Sequence, residues 1–555
     1  MKATLKILSV LLIISLIFGC NRKEEKKDEI TTENIRHAEK LTGLSFTQSE
    51  RDSMVNDVIR QKDSYEKIRS VELPNSVPPL IHFDPVPGWM KIDKEQQQPK
   101  WNLPQNIKKP NDPEDLAFYS LPELASLIQS QRISSVELTK MYIDRLKRYG
   151  DTLNCLITLT DELALQQAGK ADKEISRGNY KGPLHGIPYG LKDLVNVEGY
   201  KTTWGAAAYK NQKLKGNATV YKKLRDAGAV LVAKLSMGAL AMGDVWYKGT
   251  TRNPWDMEQG SSGSSAGSAS ATVAGLVGFS LGTETYGSIV SPSTRCGASG
   301  LRPTFGRVSR AGTMALSWTM DKIGPICRTA QGCAMVFNTI QGPDQQDLTV
   351  KDYPFNYNAN ADVSKLKVGY LKSLFNQDYR AHKNDSIALG KIRNMGINLQ
   401  AVTLPDSIPA HPLLLILEAE AATAFDKLTR SNRDSLLVAQ HRNAWPNIFR
   451  KSRFIPAVEY IRANRLRKIL SEQINRLFID YDVIIAPSFG GNQLLTTNLT
   501  GHPCVVVPNG FDDEGYPTSI SFLGNLYAEG KILEMATAFQ NATKHEDNHP
   551  SYFKK

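Results

Sequence analysis

Residues 260–288 read GSSGSSAGSASATVAGLVGFSLGTETYGS, and two of their serines, Ser264 and Ser288, sit in Gly/Ser-rich bends on either side of a small-residue segment. The middle, ATVAGLVGFSLG, is too apolar for a flexible Gly/Ser linker, which carries few β-branched or aromatic residues. The stretch predicts loop, then buried helix or strand, then loop. That order brings two hydroxyls and many unshielded backbone N–H groups into one place, and glycine and serine let backbone approach a ligand closely. A packed small-residue helix with incidental serines fits the same composition, so residues elsewhere must decide.

The rest of the chain sets the frame. Its 555 residues are 41% hydrophobic and 22% charged, the balance of a soluble globular protein. Net charge is +12, from 68 basic and 56 acidic residues. The basic residues are scattered, with no basic helix and no Lys/Arg run interleaved with aromatics, so nucleic acid is not an expected partner. Ser120-Leu-Pro-Glu123 caps one helix and Ser134–Glu137 another that ends at Gly150. Short β-branched runs such as 229–233 and 483–486 suit buried strands. Helices alternate with such runs to about residue 540, which argues for one α/β domain.

The N-terminus reads differently. Lys2 and Lys6 precede an apolar run, 7–18, too short to span a bilayer and shaped like a signal-peptide core. It ends Ile17-Phe-Gly-Cys20 and meets the charged tract 21–29 at once. This resembles a bacterial lipobox, which implies removal of residues 1–19, a lipid on Cys20, export, and anchoring to a bacterial membrane. The remaining cysteines, 155, 296, 327, 333 and 504, are odd in number and form no CxxC, so neither a full disulfide set nor a zinc site is expected. Residues 20–114 are polar and proline-spiked. Within them Thr47–Glu50 opens a charged helix to about Ser70, and 74–110 reads as an extended arm.

A serine hydroxyl is a poor nucleophile until something removes its proton. Upstream of Ser264, Lys192 stands out. It lies in GPLHGIPYGLKD (182–193), where two prolines and three glycines fix the backbone and apolar neighbours promise burial. A desolvated lysine loses its charge more easily and works as a base.

Together these segments resemble the amidase signature family of serine hydrolases over roughly residues 115–545. GPLHGIPYGLKD is similar to the family's lysine segment. NPWD (253–256) with GSSGSSAGSA is similar to its Gly/Ser signature, and GTETYGSIVSP to its nucleophile turn. GLRPTFGRVSR (300–310), YDVIIAPS (481–488) and GHPCVVVPNGF (501–511) match further segments. The serines are 24 residues apart, the family's own spacing. The resemblance implies a single large domain with a central mixed, twisted β-sheet covered by helices on both faces. It places a variable substrate-pocket region at 330–480 and leaves 546–555 as a polar tail.

Carried across residue by residue, it makes Ser288 the nucleophile, Ser264 the bridging serine and Lys192 the base. A cis peptide is implied before Ser264. The backbone N–H groups of Thr285, Tyr286, Gly287 and Ser288 become the oxyanion hole. No metal and no cofactor are implied, and the expected partner is a small-molecule or peptide amide.

The chain departs from the family at several positions. Glu284 stands where aspartate is usual, Tyr286 where glycine is usual, and Val290 where arginine is usual; Ser262 and Ala266 also replace common glycines. No catalytic atom is lost. Other readings compete less well. Gly263-Ser-Ser-Ala-Gly267 fits a nucleophile elbow on Ser265, but no hydrophobic strand precedes it. Ser64-Tyr-Glu-Lys67 matches S-x-x-K, yet lies in the charged N-terminal helix. His185 reads as structural, and His545 and His549 lack a third metal ligand. A fold-retaining binding lipoprotein and an amidotransferase-type glutamine-hydrolysing subunit stand as alternatives to a free amidase.

Overall fold

Apolar runs bounded by turns become the strands of one sheet. The computed structural model describes residues 30–554, so the expected signal segment and Cys20 lie outside the described residues. The chain divides into two compact units, one ending at Pro74 and the other beginning at Asn75.

The first unit carries helices Thr32–Thr42 and Gln48–Ser70. Thr47 and Glu50 form the capping box read from the sequence, and Arg51 pairs with Glu39 at 2.6 Å to join the two helices. Gln48–Ser70 buries no residue. Among the described residues, no helix is long and apolar enough to cross a membrane.

In the second unit, residues 75–112 form no helix and are tied down locally. Asn75, for example, donates to the Ala315 carbonyl at 2.9 Å. The capped helices Leu121–Gln129 and Ser135–Tyr149 follow. The strands, in chain order, are β1 (Leu156–Leu159), β2 (Pro188–Lys192), β3 (Val230–Leu235), β4 (Val245–Trp246), β5 (Gly249–Thr250), β6 (Arg252–Asn253), β7 (Asp256–Gly260) and β8 (Phe279–Glu284). They continue with β9 (Ser299–Arg302), β10 (Lys322–Cys327), β11 (Val368–Tyr370), β12 (Leu399–Ala401), β13 (Val483–Pro487), β14 (Cys504–Phe511) and β15 (Pro517–Gly524).

Eleven of them make one mixed sheet in the order β1-β3-β2-β8-β10-β9-β14-β15-β13-β11-β12, flanked by helices, while β4–β5 and β6–β7 are separate ribbons. This is the large α/β domain expected from the sequence. β2, β3, β8, β10 and β13 are buried at every position, which is why they read as near-continuous apolar runs.

The parallel trio β3, β2, β8 positions the site. Parallel strands put their C-terminal ends on one edge, where ligands of open α/β sheets bind. Four charges lie at that edge, all buried: Lys192 ends β2, Lys234 is next to last in β3, Glu284 ends β8, and Lys322, opposite Glu284, begins the antiparallel β10. Burying an unpaired charge costs several kcal/mol, so each needs a partner or must lose its charge.

Candidate active site

Between its two loops the Gly/Ser stretch holds both a buried helix and a buried strand, where the sequence implied one or the other. Residues 261–265 form a loop, Ala266–Val273 is a helix buried throughout, β8 follows, and 285–289 turn into the short helix Val290–Cys296. The peptide between Gly263 and Ser264 is cis. A Cβ on Gly263 would lie 1.9 Å from the Gly243 carbonyl, so this close approach admits only glycine.

Lys192 and Ser264 come together. Lys192 Nζ donates to Ser264 Oγ at 2.8 Å, to Thr283 Oγ1 at 2.9 Å and to Ser265 Oγ at 3.1 Å. Burial drives the Lys192 pKa down from the ordinary lysine value to about 7, against the opposing pull of the Asp321 and Glu284 carboxylates. Near neutral pH a large share of Lys192 is therefore the free amine, with a lone pair to accept a proton.

Ser288 lies beside this pair. The Ser265 N–H donates to the Ser288 carbonyl at 3.2 Å, which fixes the two serine segments against each other. Among the described residues no hydrogen bond joins the Ser264 and Ser288 hydroxyls. Links of this kind commonly tighten only when substrate is bound.

The turn after β8 presents its backbone to the site. The N–H groups of residues 285–288 have no acceptor among the turn and loop hydrogen bonds of the described residues. Gly287 takes the turn's positive φ, 85°, so Tyr286 needs no unusual backbone, and the residue is 43% exposed two positions before Ser288. Ser262 does adopt a positive φ, 58°, and its hydroxyl pairs with that of Ser291 at 2.7 Å.

Glu284 holds the turn. Its Oε2 accepts the N–H groups of Ile289 and Val290 at 2.8 and 3.0 Å, just past the serine. Its Oε1 accepts from Arg302 at 2.9 Å and Asn498 at 2.8 Å. Burial pushes the Glu284 pKa up, but Arg302, the Val290 amide and Asn498 together hold it below the usual glutamate value. Val290, where the family usually has arginine, is buried, and the cation paired with Glu284 is Arg302 of β9. Thr285 Oγ1 donates to Asp321 at 2.6 Å. Burial raises the Asp321 pKa despite that bond and the Leu316 and Ser317 amides.

Other residues singled out by sequence lie elsewhere. Ser265 is buried, donates to the Thr283 carbonyl and accepts from the Thr283 N–H, both at 3.1 Å, which leaves it inside the scaffold. His185 is buried and contacts Glu174 at 3.1 Å. Cys155, Cys296, Cys327, Cys333 and Cys504 are buried and unpaired. The contacts of Thr283, Asp321, Arg302 and Lys234 were not read from the sequence. For Lys234 the one local signal is a charge inside an apolar run, Ala-Val-Leu-Val-Ala-Lys-Leu (229–235).

The profile of the Amidase family matches residues 137–495. The chain belongs to the amidase family. As an amidase it hydrolyses the C–N bond of a carboxylic amide. It is 31% identical over 483 residues to a glutamyl-tRNA(Gln) amidotransferase subunit of Carboxydothermus hydrogenoformans, covering 79% of this amidase and 99% of that chain. The same-named protein of Methylococcus capsulatus is 32% identical over 471 residues, 76% of this chain and 97% of that one. Among solved structures, the peptide amidase of Stenotrophomonas maltophilia superposes with a TM-score of 0.70 at 27% identity, over 80% of this chain and all of that one.

Proposed function

We propose that this amidase acts through an acyl-enzyme on Ser288, with Ser264 as proton shuttle and Lys192 as base. The observation that carries the reading is the buried Lys192 amine, 2.8 Å from Ser264. Neutral Lys192 takes the Ser264 proton as Ser264 takes the Ser288 proton, and Ser288 Oγ bonds to the amide carbonyl carbon. The carbonyl oxygen becomes an oxyanion facing the 285–288 amides; one such donor is worth about 10²–10³ in rate. Ser264 then delivers its proton to the nitrogen, Lys192 returns a proton to Ser264, and the C–N bond breaks. Without that proton the amine is a poor leaving group. Water, deprotonated along the same path, releases the carboxylic acid. A panel of peptide, aryl and aliphatic amides, run with Ser288→Ala as control, tests the scheme; hydrolysis surviving in that variant overturns it.

Substrate choice is assigned to the surface around the turn. A cavity of about 330 Å³ opens beside the helix Val290–Cys296 that follows the turn, lined by Ser291, Thr294, Leu374, Tyr379, Phe489 and Pro517 among others, with Lys192, Ser264 and Ser288 outside its lining. Two of these lie within 330–480, which supports that segment as a contributor to the pocket.

The names of the relatives support a second reading, a glutamine-hydrolysing subunit working inside an amidotransferase. Purification with stably bound partner chains and tRNA would favour it. The export-like sequence 1–20 supports the free enzyme instead, lipid-anchored through Cys20. Incorporation of labelled palmitate, lost in Cys20→Ser, tests the anchor; equal labelling of both forms overturns it.

A further inference from the structure

Ser317 spends its two donors on two different carboxylates. Its N–H donates to Asp321 Oδ2 at 3.0 Å, and its hydroxyl donates to Glu420 Oε2 at 2.6 Å. Glu420 is buried on the helix Leu414–Ala424, inside the 330–480 region. Its Oε2 also accepts the Thr319 N–H at 3.1 Å, and its Oε1 accepts the Thr319 and Tyr460 hydroxyls, each at 2.8 Å. Three of these four donors belong to residues 317–319. The helix Ala457–Leu477, which carries Tyr460, adds Arg467, whose guanidinium donates to the Thr319 hydroxyl and carbonyl, both at 2.8 Å.

The clamped segment leads straight to the catalytic turn. The Asp321 N–H closes back on the Ser317 carbonyl at 3.0 Å, and Asp321 Oδ1 accepts the Thr285 hydroxyl at 2.6 Å. Thr285 begins the turn whose amides face the oxyanion in the proposed reaction. β10 starts at the next residue, Lys322, directly opposite Glu284 at the end of β8. An unbroken chain of hydrogen bonds therefore runs from Glu420 through Ser317 and Asp321 to Thr285.

All four partners of Glu420 are neutral groups. A buried carboxylate is costly unless hydrogen bonds and nearby charge offset it. Arg467 and Arg310 supply that charge through space, without an ion pair to Glu420. What the carboxylate does directly is gather 317–319, since each of its oxygens takes two donors at once.

We propose that Glu420 is a positioning residue for the hydrolytic reaction: it holds residues 317–319 so that Asp321 fixes Thr285 and the oxyanion turn. The inference rests on the reading of the 285–288 amides as the oxyanion hole. It ties the 330–480 region to the rate of the chemical step.

The test is the kinetics of Ser288 labelling by a fluorophosphonate, whose phosphoryl oxygen takes the place of the oxyanion. The saturating rate constant and the half-saturating concentration are measured well below the melting temperature of each variant. Glu420→Gln turns an amide N–H₂ toward two donors and loosens the segment. Its saturating rate falls about 10-fold, with the half-saturating concentration near the parent value. Thr285→Val cuts the same chain at its other end and slows labelling likewise. Because both act through one chain, the double variant is no slower than the slower single one. Where Glu420→Gln does not fold, Ser317→Ala leaves the carboxylate three donors, slows labelling in the same direction and enters the same cycle. Effects that multiply in the double variant would overturn the proposal. So would a parent rate in the Thr285 variant, or a Glu420 variant whose melting temperature falls while its rate does not. Labelling that survives in Ser288→Ala would instead overturn the acyl-enzyme reading.

Discussion

Lys192 Nζ lies 2.8 Å from the Ser264 hydroxyl, with both side chains shut away from solvent. The amine must be neutral to accept a proton there, and burial brings its pKa to about 7. The rate constant kcat/KM is therefore expected to rise through an apparent pKa near 7 on the acid side. An ordinary lysine would place that limb near 10.4. Lys192→Ala should lower kcat by about 10²–10⁴-fold, the usual worth of a positioned base. A profile flat from about pH 5 to 9 would contradict the assignment.

The same burial has a stability consequence of opposite sign to the catalytic gain. Lys192 has a depressed pKa when folded, so between pH 7 and the ordinary lysine value the unfolded chain binds more protons. Stability climbs with pH across that window, and below it the penalty is present in full. Lys192→Met removes the penalty. The variant should be inactive yet more stable than its parent at pH 6, by about 3–5 kcal/mol, with the gap closing toward pH 10. Denaturant unfolding at the two pH values measures it, and a gap independent of pH counts against the buried amine.

Ser265 separates two chemistries that share one sequence. Its hydroxyl is enclosed by both polar groups of the Thr283 backbone and by Lys192. Ser265→Ala should lower activity by loosening Lys192 while labelling by a fluorophosphonate stays on Ser288. Complete loss of labelling, with the fold intact by circular dichroism, would instead make Ser265 the nucleophile.

That Lys192 and Ser264 meet, with the Ser288 segment against them, was legible because glycine, proline and a fixed spacing mark the places where backbone is forced close. β3 and β13 were legible because strands buried on both faces leave unbroken apolar runs. Asp321 was not: its partner Thr285 lies 36 residues away and becomes a neighbour only through the β8–β10 pairing. Arg302 lies in GLRPTFGRVSR (300–310), yet its role depends on β9 and β10 bringing it to Glu284. Local chemistry shows in a sequence, whereas pairing across a sheet is a property of the assembled topology.

Glu284 yields the sharpest separation of stability from catalysis. One oxygen neutralises Arg302 and the other anchors the two amides that follow Ser288. Glu284→Gln leaves the Arg302 charge buried and unpaired, which costs about 3–5 kcal/mol. It also loosens the turn, and a misplacement of about 1 Å at a reacting group costs on the order of 10²-fold in rate. Adding Arg302→Met removes the stranded charge, so the double variant should regain most of the lost thermal stability. It should not regain kcat, because the Ile289 and Val290 amides still lack their carboxylate. Melting temperature and kcat measured on the same three proteins decide the matter. Recovery of both together would show that Glu284 serves the fold alone.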